Sequence, residues 1–454
     1  MDKEKQSLDR SIGLFGGISI LTGIMVGSGI FFIGSYVLMR TDYSSGTSLL
    51  VWLIGGLITL IYGLIYGELG AMMPKAGGYY VYLREAFGKP VAFLSGFVNF
   101  ILASSGSIAA LAIAFSLILS NVLSMLFSIT MSSLVMSLIS VIMIILLSLL
   151  NFFEIRLGAL VQKIFFVIKI IPIFLIIILG LILGTNSVSL SIDFNQMPFF
   201  DVLTMIGYAV IATFWAYEGW TNLNSVAGEV KKPGRNIPLS LIISIGSVTL
   251  LYVIYQYSTF RVLSLADLQA LIQGDNIYTG INAAYVLIGN IGMYLVMITM
   301  LLSVLGALNG SIMVFPRVYY AMSHDGVLFP KFKELHSKYK TPYYAIIGSA
   351  IMAVILLVFG LDDLISLIAF SGLLFNGLIF ISLFIFRKKY PNIERPYKVP
   401  FYPYLPALAI IVTGLLLVAV YVENIRSSLI GTGVLLLGLP IYYGIKYFNK
   451  TKSQ

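Results

Sequence analysis

Two short runs carry residues that are out of place in their surroundings. Gly27-Ser28-Gly29 falls in the middle of residues 11–39, an uncharged stretch long enough to cross a bilayer. Glu218-Gly219 falls among aromatics in Thr213-Phe214-Trp215-Ala216-Tyr217-Glu218-Gly219-Trp220. Glycine costs a helix interior about 1 kcal/mol against alanine, and a helix interrupted at membrane depth bares N–H and C=O groups that lipid cannot satisfy. A zwitterionic solute can satisfy them. A half-helix restarting near Ser28 would offer free N–H groups and a positive dipole end to a carboxylate, and the carbonyls before the break would face an ammonium. Helix packing is the other account of the first run, because Gly13, Gly17, Gly23 and Gly27 form two small-xxx-small pairs. The carboxylate of Glu218 costs at least about 2.5–3.5 kcal/mol if charged at mid-membrane. It therefore marks either a functional site or a protonated or paired structural group. Trp215 serves as a lid over a small site or as plain packing.

Lys169 is the third unusual residue. It lies near the middle of an apolar stretch, about 20 Å from its nearer polar end at the helical rise, too deep to reach the interface with its side chain. It is expected to face the bundle interior and bind carbonyls bared by a broken helix. Lys163 is nearer the surface, on another face, and reads as snorkelling. Glu68 lies near the end of its span and is expected to pair with a loop cation. The polar runs 228–238 and 315–330, which include Glu229, Arg317, His324 and Asp325, read as solvated loops with an option on gate salt bridges.

The elements that position these residues follow from composition. The chain has 454 residues, 59% hydrophobic and 10% charged, well below the charged share of about 25% in soluble chains. Twelve apolar spans are legible, at roughly 12–40, 48–73, 90–119, 128–151, 156–184, 202–228, 239–263, 284–323, 342–361, 363–387, 402–422 and 427–448. The outer segment 263–282 has the pattern of a short surface helix. With the N-terminus inside, inner segments hold 23 of the 28 basic residues, which predicts cytoplasmic termini by the positive-inside rule. The formal charge of +9 is then topology and inner-leaflet attraction, not nucleic-acid binding. The two interrupted spans are five apart. Five is odd, so a repeat relating them would be inverted in the membrane, a pointer to a secondary-transporter site. There is no cysteine, which excludes thiol chemistry and disulfides. No G-x-S-x-G, H-E-x-x-H or P-loop motif is present, and no metal or cofactor is expected. The reading is a transporter rather than an enzyme.

Taken in order, Gly27-Ser28-Gly29-Ile30-Phe31, Phe214-Trp215-Ala216-Tyr217-Glu218-Gly219-Trp220, residues 229–238, residues 317–330, Arg395-Pro396-Tyr397-Lys398-Val399-Pro400 and Leu439-Pro440-Ile441-Tyr442-Tyr443-Gly444 resemble the amino acid–polyamine–organocation superfamily. Within it the chain is most similar to the L-type amino-acid transporter (LAT) family, near its bacterial serine/threonine and alanine-serine-cysteine exchangers. The resemblance spans essentially the whole chain. It implies an all-α membrane protein with a LeuT-like 5+5 inverted repeat: repeat one about 12–184, repeat two about 202–387, and two additional C-terminal helices at about 402–448, all in one domain. It implies sodium-independent exchange of small or medium neutral L-amino acids by alternating access in the cell membrane, with a proton-coupled amino-acid or polyamine symporter as the alternative. In that picture the amides of Ser28 and Gly29, with Gly27, hold the substrate carboxylate. The carbonyls of Met25, Trp215 and Glu218, beside Gly219, receive its amine, and Tyr252 lines the site. Lys169 is the family's span-five lysine, reporting the site's state to spans one and eight, with Ser303 as its candidate partner. Three departures stand out. Ile33-Gly34 replaces a proline common after the first motif, Trp215 replaces a gating phenylalanine, and the absence of cysteine implies no disulfide-linked ancillary subunit.

Overall fold

The computed structural model describes residues 10–451 except 28, 76, 154, 193, 195–196 and 275–276, and the side chains of 153–167 and 448–451 fall outside that description. Two of the residues singled out from the sequence, Ser28 and the Lys163 side chain, are therefore outside it. Among the described residues the regular structure is all helix, joined by turns and loops, apart from one isolated β-bridge between Ile12 and Val230.

The first apolar stretch is broken at its glycines, the alternative to plain helix packing that the second interrupted span favoured. Helix α1 (Leu14–Met25) and helix α2 (Gly29–Arg40) meet at a bend of 53°. Helix α3 (Ser45–Met72) comes next, started by Ser44, whose side chain accepts from the Thr47 N–H. The short α4 (Tyr79–Phe87) leads to α5 (Lys89–Val98), a π-helical turn at Asn99–Ala103 and α6 (Ser104–Phe127), which together make one long span. Then come α7 (Ser133–Phe153) and α8 (Ile155–Leu183). Helix α9 (Phe199–Tyr217) ends at the second expected break. Beyond that break the chain forms no matching half-helix, only the four-residue α10 (Asn222–Ser225) and a 3-10 turn at Ala227–Glu229. The Asn224 side chain there turns to tertiary partners. Asn224 donates to the Tyr66 carbonyl and the Tyr82 hydroxyl, both at 2.9 Å, which competes with regular helix.

Helix α11 (Pro233–Val262) begins about six residues earlier than expected, because Pro233 at its first turn needs no N–H partner. The expected surface helix is α12 (Leu265–Gln273), set by a capping box between Ser264 and Asp267. Helix α13 (Thr279–Val314) is kinked at Ile288 and Gly289 and passes into α14 (Pro316–His324). Helices α15 (Tyr343–Leu356), α16 (Leu361–Lys389), α17 (Tyr404–Glu423) and α18 (Ile425–Thr451) complete the chain.

Nine helices in the described residues are long and apolar enough to cross a membrane, and the bent α1–α2 pair makes a tenth. The protein is a multi-pass membrane protein. Of the remaining two expected spans, α15 has 14 residues, and α8 counts only as Ile168–Leu183 within the described residues. The core lies where α3, α11, α1 and α9 pack closely. Glycines of α3 and α1 make that approach feasible. For example, a Cβ on Gly56 would sit 2.3 Å from Thr249, and one on Gly17 would sit 2.5 Å from the Ser240 Oγ. The packing account of Gly17 therefore holds at the N-terminal end of α1, while the break is made further along.

Candidate functional site

At the first break the helical ladder stops one residue past Met25. Val26 leaves the helix (φ −73, ψ 81) with its N–H still on the Thr22 carbonyl, and the Gly27 N–H turns back to the Met25 carbonyl at 2.8 Å. The carbonyls that lose their i+4 partners are met by side chains from three other helices. Lys169 of α8 donates its Nζ to the Gly23 carbonyl. Tyr252 of α11 donates to the Met25 carbonyl at 2.7 Å, and Ser303 of α13 reaches the Val26 carbonyl at 3.4 Å. Lys169 is 1% exposed and the other two are fully buried. A buried ammonium needs such a carbonyl partner, and a buried carbonyl needs a donor. The expectation that Lys169 turns inward to carbonyls freed by a broken helix agrees with this geometry. Ser303, expected as a partner of Lys169, takes one of those carbonyls.

At the second break Glu218 is extended (φ −59, ψ 144) and Gly219 adopts φ +110, a conformation that favours glycine. The Tyr252 hydroxyl is also 2.9 Å from the Ala216 carbonyl, so one hydroxyl touches both interruptions. The breaks pack against each other reciprocally. A Cβ on Gly29 would lie 3.3 Å from the Ala216 Cα, and one on Gly219 would lie 2.5 Å from the Ile24 Cγ2. Gly34, in the Ile33-Gly34 pair that departs from the family's pattern, leaves room for Gln256, whose amide reaches the Ile30 carbonyl at 3.4 Å.

Between the breaks is a cavity of about 60 Å³. Met25, Gly27, Gly29, Trp215, Glu218 and Gly219 all line it. A second cavity of about 90 Å³ shares Glu218, Ser107, Asn222 and Phe315 with the first and adds polar groups from Tyr66, Asn99, Ser104 and Asn376. Glu218 keeps accessible surface although it lies deep in the fold, because it faces both cavities.

Two sequence expectations are corrected here. Tyr252 does not line either cavity. It sits behind the breaks with its hydroxyl committed to two carbonyls. The Met25 carbonyl, expected to receive a substrate amine, already accepts from Tyr252 and from Gly27, which engages both its lone pairs. Sequence reasoning also missed Ser107, Val304, Ala307, Ser311 and Phe315 as lining residues. The last four recur at three- and four-residue spacing along α13 and its C-cap Phe315, a signal that ordinary helix packing produces equally well. The π-helical turn that puts Asn99 and Ser104 on the second cavity had no legible signal either.

Ion pairs close one end of the molecule. Arg317 meets Glu229 at 2.9 Å with both side chains largely buried. The same loop is pinned to the chain start, where Ile12 donates to the Glu229 carbonyl and accepts from the Lys231 N–H. Asp325 accepts from Arg84 at 2.5 Å and from Tyr80 at 2.8 Å. Burial works against the charge of Arg84, yet its bonds to Asp325 and Glu85 hold its pKa above the ordinary arginine value. Glu68 is fully buried and finds a loop cation, Arg395 at 3.5 Å. Its stronger pairing is bidentate, to Arg387 at the end of α16, at 2.7 and 3.0 Å.

The amino acid permease family model matches residues 12–445. The chain belongs to the amino acid permease family. It is 32% identical over 451 residues to the serine/threonine exchanger SteT of Bacillus subtilis, covering 98% of this chain and 99% of that protein. It is 30% identical over 453 residues to the b(0,+)-type amino acid transporter 1 of Mus musculus, covering 98% and 89%. It is 30% identical over 446 residues to the cystine/glutamate transporter of Homo sapiens, covering 97% and 86%. These relatives agree with the LAT-type resemblance carried by the motifs, and all are named as transporters or exchangers.

Proposed function

We propose that this permease is a sodium-independent exchanger of small or medium neutral L-amino acids, working by alternating access. The observation that carries the reading is the cavity between two facing helix breaks, lined by the backbones of Gly27, Gly29 and Gly219. The α-carboxylate sits on the amides at the start of α2, including those of Ser28 and Gly29, where the half-helix dipole is positive. The amine is received by the carbonyls of Trp215 and Glu218, and Trp215 covers the side chain. Lys169 does at the first break the work a coordinated cation would do, holding the freed carbonyl of Gly23.

The frame for this motion is a LeuT-like fold of twelve spans, with repeats at about 12–184 and 202–387 and helices at about 402–448 outside the repeat. Both termini are cytoplasmic, which puts the Glu229–Arg317 pair at the inner end, and the chain works without a disulfide-linked subunit. The names of the relatives, which include a serine/threonine exchanger and a cystine/glutamate transporter, support exchange and leave side-chain preference to experiment. A second reading rests on Glu218, whose carboxyl faces both cavities. As a titrating or cation-attracting group it would suit a proton-coupled amino-acid or polyamine symporter.

Purified protein in liposomes decides between them. Counterflow with a panel of twenty amino acids should show uptake only when substrate is present on the opposite side, with no response to an imposed pH gradient and no competition by lysine or putrescine. Accumulation into empty vesicles driven by external acid would replace exchange with symport.

A further inference from the structure

A third cavity, about 520 Å³, lies away from the two breaks, at the end of the molecule where α11 begins. Its composition is divided along the helix axis. Lys232 and Arg235 stand at the start of α11, and Leu239 and Ile242 lie one to two turns further on, with Pro396 and Tyr397 forming the opposite wall. Ten residues of helix separate Lys232 from Ile242, about 15 Å. The groove therefore runs from the membrane–water boundary, where a spanning helix starts, into the depth of the hydrocarbon.

Both cations are exposed, and among the described residues neither is in an ion pair. Arg84, Arg317 and Arg387 at the same end all are. Among the described residues no acidic side chain lines the groove. The opposite wall is held in shape independently of any ligand. The Arg395 guanidinium donates to the carbonyls of Phe386, Tyr390, Pro391 and Ile393 at 2.8–3.2 Å. The Val399 N–H donates to the buried Glu68 at 2.7 Å. Beneath it, Gly67 of α3 is close enough that a Cβ would touch both Pro238 and Tyr397 at 3.4 Å.

A soluble anion would use the two cations and leave the apolar wall without a role. A neutral lipid would use the wall and leave two desolvating cations uncompensated. A molecule with a phosphate at one end and a hydrocarbon chain below it uses both in the order in which they stand. We infer that this groove binds an anionic phospholipid, with its phosphate between Lys232 and Arg235 and one acyl chain along Leu239 and Ile242 against Tyr397. The lipid ties the start of α11, the helix that carries Tyr252, to the 396–397 segment. The inference needs only that α11 spans a membrane, so it stands or falls separately from the exchange reading.

The test uses the full chain, purified in detergent, with phosphatidylglycerol and phosphatidylcholine of identical chains as probes and native mass spectrometry of the folded, monodisperse fraction as readout. The wild type should retain phosphatidylglycerol over phosphatidylcholine. Two cations near a lipid surface contribute about 1 kcal/mol each, so Lys232→Asn with Arg235→Gln should reduce that preference on the order of thirtyfold. Asparagine suits the left-handed backbone of residue 232 (φ +44). Lys388→Gln with Lys389→Gln, which removes two cations from the end of α16 that do not line the groove, should leave the preference intact. Unchanged preference in the groove variant, or equal loss in the α16 variant, overturns the inference in favour of diffuse surface attraction. Glycerol phosphate at the same phosphate concentration should leave the melting temperature unmoved. A shift as large as that with phosphatidylglycerol would make this an anion site and overturn the lipid assignment.

Discussion

The Tyr252 hydroxyl has one hydrogen and two carbonyls within reach, at 2.7 and 2.9 Å. It can satisfy one fully or share itself between both, so the two helix breaks compete for a single donor. Removing it by Tyr252→Phe leaves buried carbonyls short of a partner, at a cost of about 1–3 kcal/mol, and frees the breaks from each other. The variant should melt several degrees lower and exchange about tenfold more slowly. Wild-type values in both measurements would mean that the hydroxyl links nothing. Lys169 differs in kind, because it brings a charge to the Gly23 carbonyl. Its replacement in Lys169→Ala should abolish counterflow more than it lowers the yield of monodisperse protein on size exclusion. Trp215 and Glu218 belong to the same scale but face the cavity instead of the backbone behind it, so their substitution should act on substrate preference.

At the scale of elements, the breaks are held open by steric necessity at particular glycines. Gly219 has φ +110, and a Cβ there would meet the Ile24 Cγ2 at 2.5 Å. Gly207, on the same helix α9, has nothing within 4 Å of its missing Cβ. The two make a matched pair. Gly219→Ala should lose at least tenfold in exchange and lower thermal stability. Gly207→Ala should leave exchange unchanged and stabilise α9 by up to about 1 kcal/mol. Equal behaviour of the two variants would remove the claim that the second break needs glycine. The π-helical turn at Asn99–Ala103 adds a quieter distortion. The Asn99 amide donates to the Ser95 carbonyl at 2.9 Å and the Ser105 hydroxyl to the Phe100 carbonyl at 2.7 Å, and the turn delivers Asn99 and Ser104 to the larger cavity. Such turns occur often at functional sites.

At the scale of the whole molecule, three ion-pair nodes gather at one end: Glu229 with Arg317, Asp325 with Arg84, and Glu68 with Arg387. The first ties the loop after the second break to α14, and the strap from Ile12 reinforces it. Breaking a largely buried pair by neutralising one partner leaves the other charge uncompensated, which favours conformations that hydrate it. Glu229→Gln should therefore open the cavity of about 90 Å³ beside Glu218 toward that end. The protein has no cysteine, so a single Ser107→Cys, on a residue lining both cavities, reports access through its labelling rate with a water-soluble maleimide. The rate should rise several-fold in the Glu229→Gln background, and an unchanged rate would show that the pair does not act as a latch.

Composition, the run of apolar spans, the place of both breaks and the depth of Lys169 were fixed by the order of residues alone. Each depends on neighbours a few positions apart: a glycine against its own helix, a charge against the length of its own span. The lysine's part in holding the bared backbone was legible, but the hydroxyl partners of the other carbonyls and the arginine that pairs with Glu68 were not. Met25 meets Tyr252, Val26 meets Ser303 and Glu68 meets Arg387 across separations of 227, 277 and 319 residues. A tyrosine on an apolar span reads the same whether its hydroxyl faces a cavity or a carbonyl. Only the packing of α11 against the ends of α1 and α9 assigns it to the backbone, because hydrogen bonds are satisfied by proximity in space, and that proximity exists only after the helices have met.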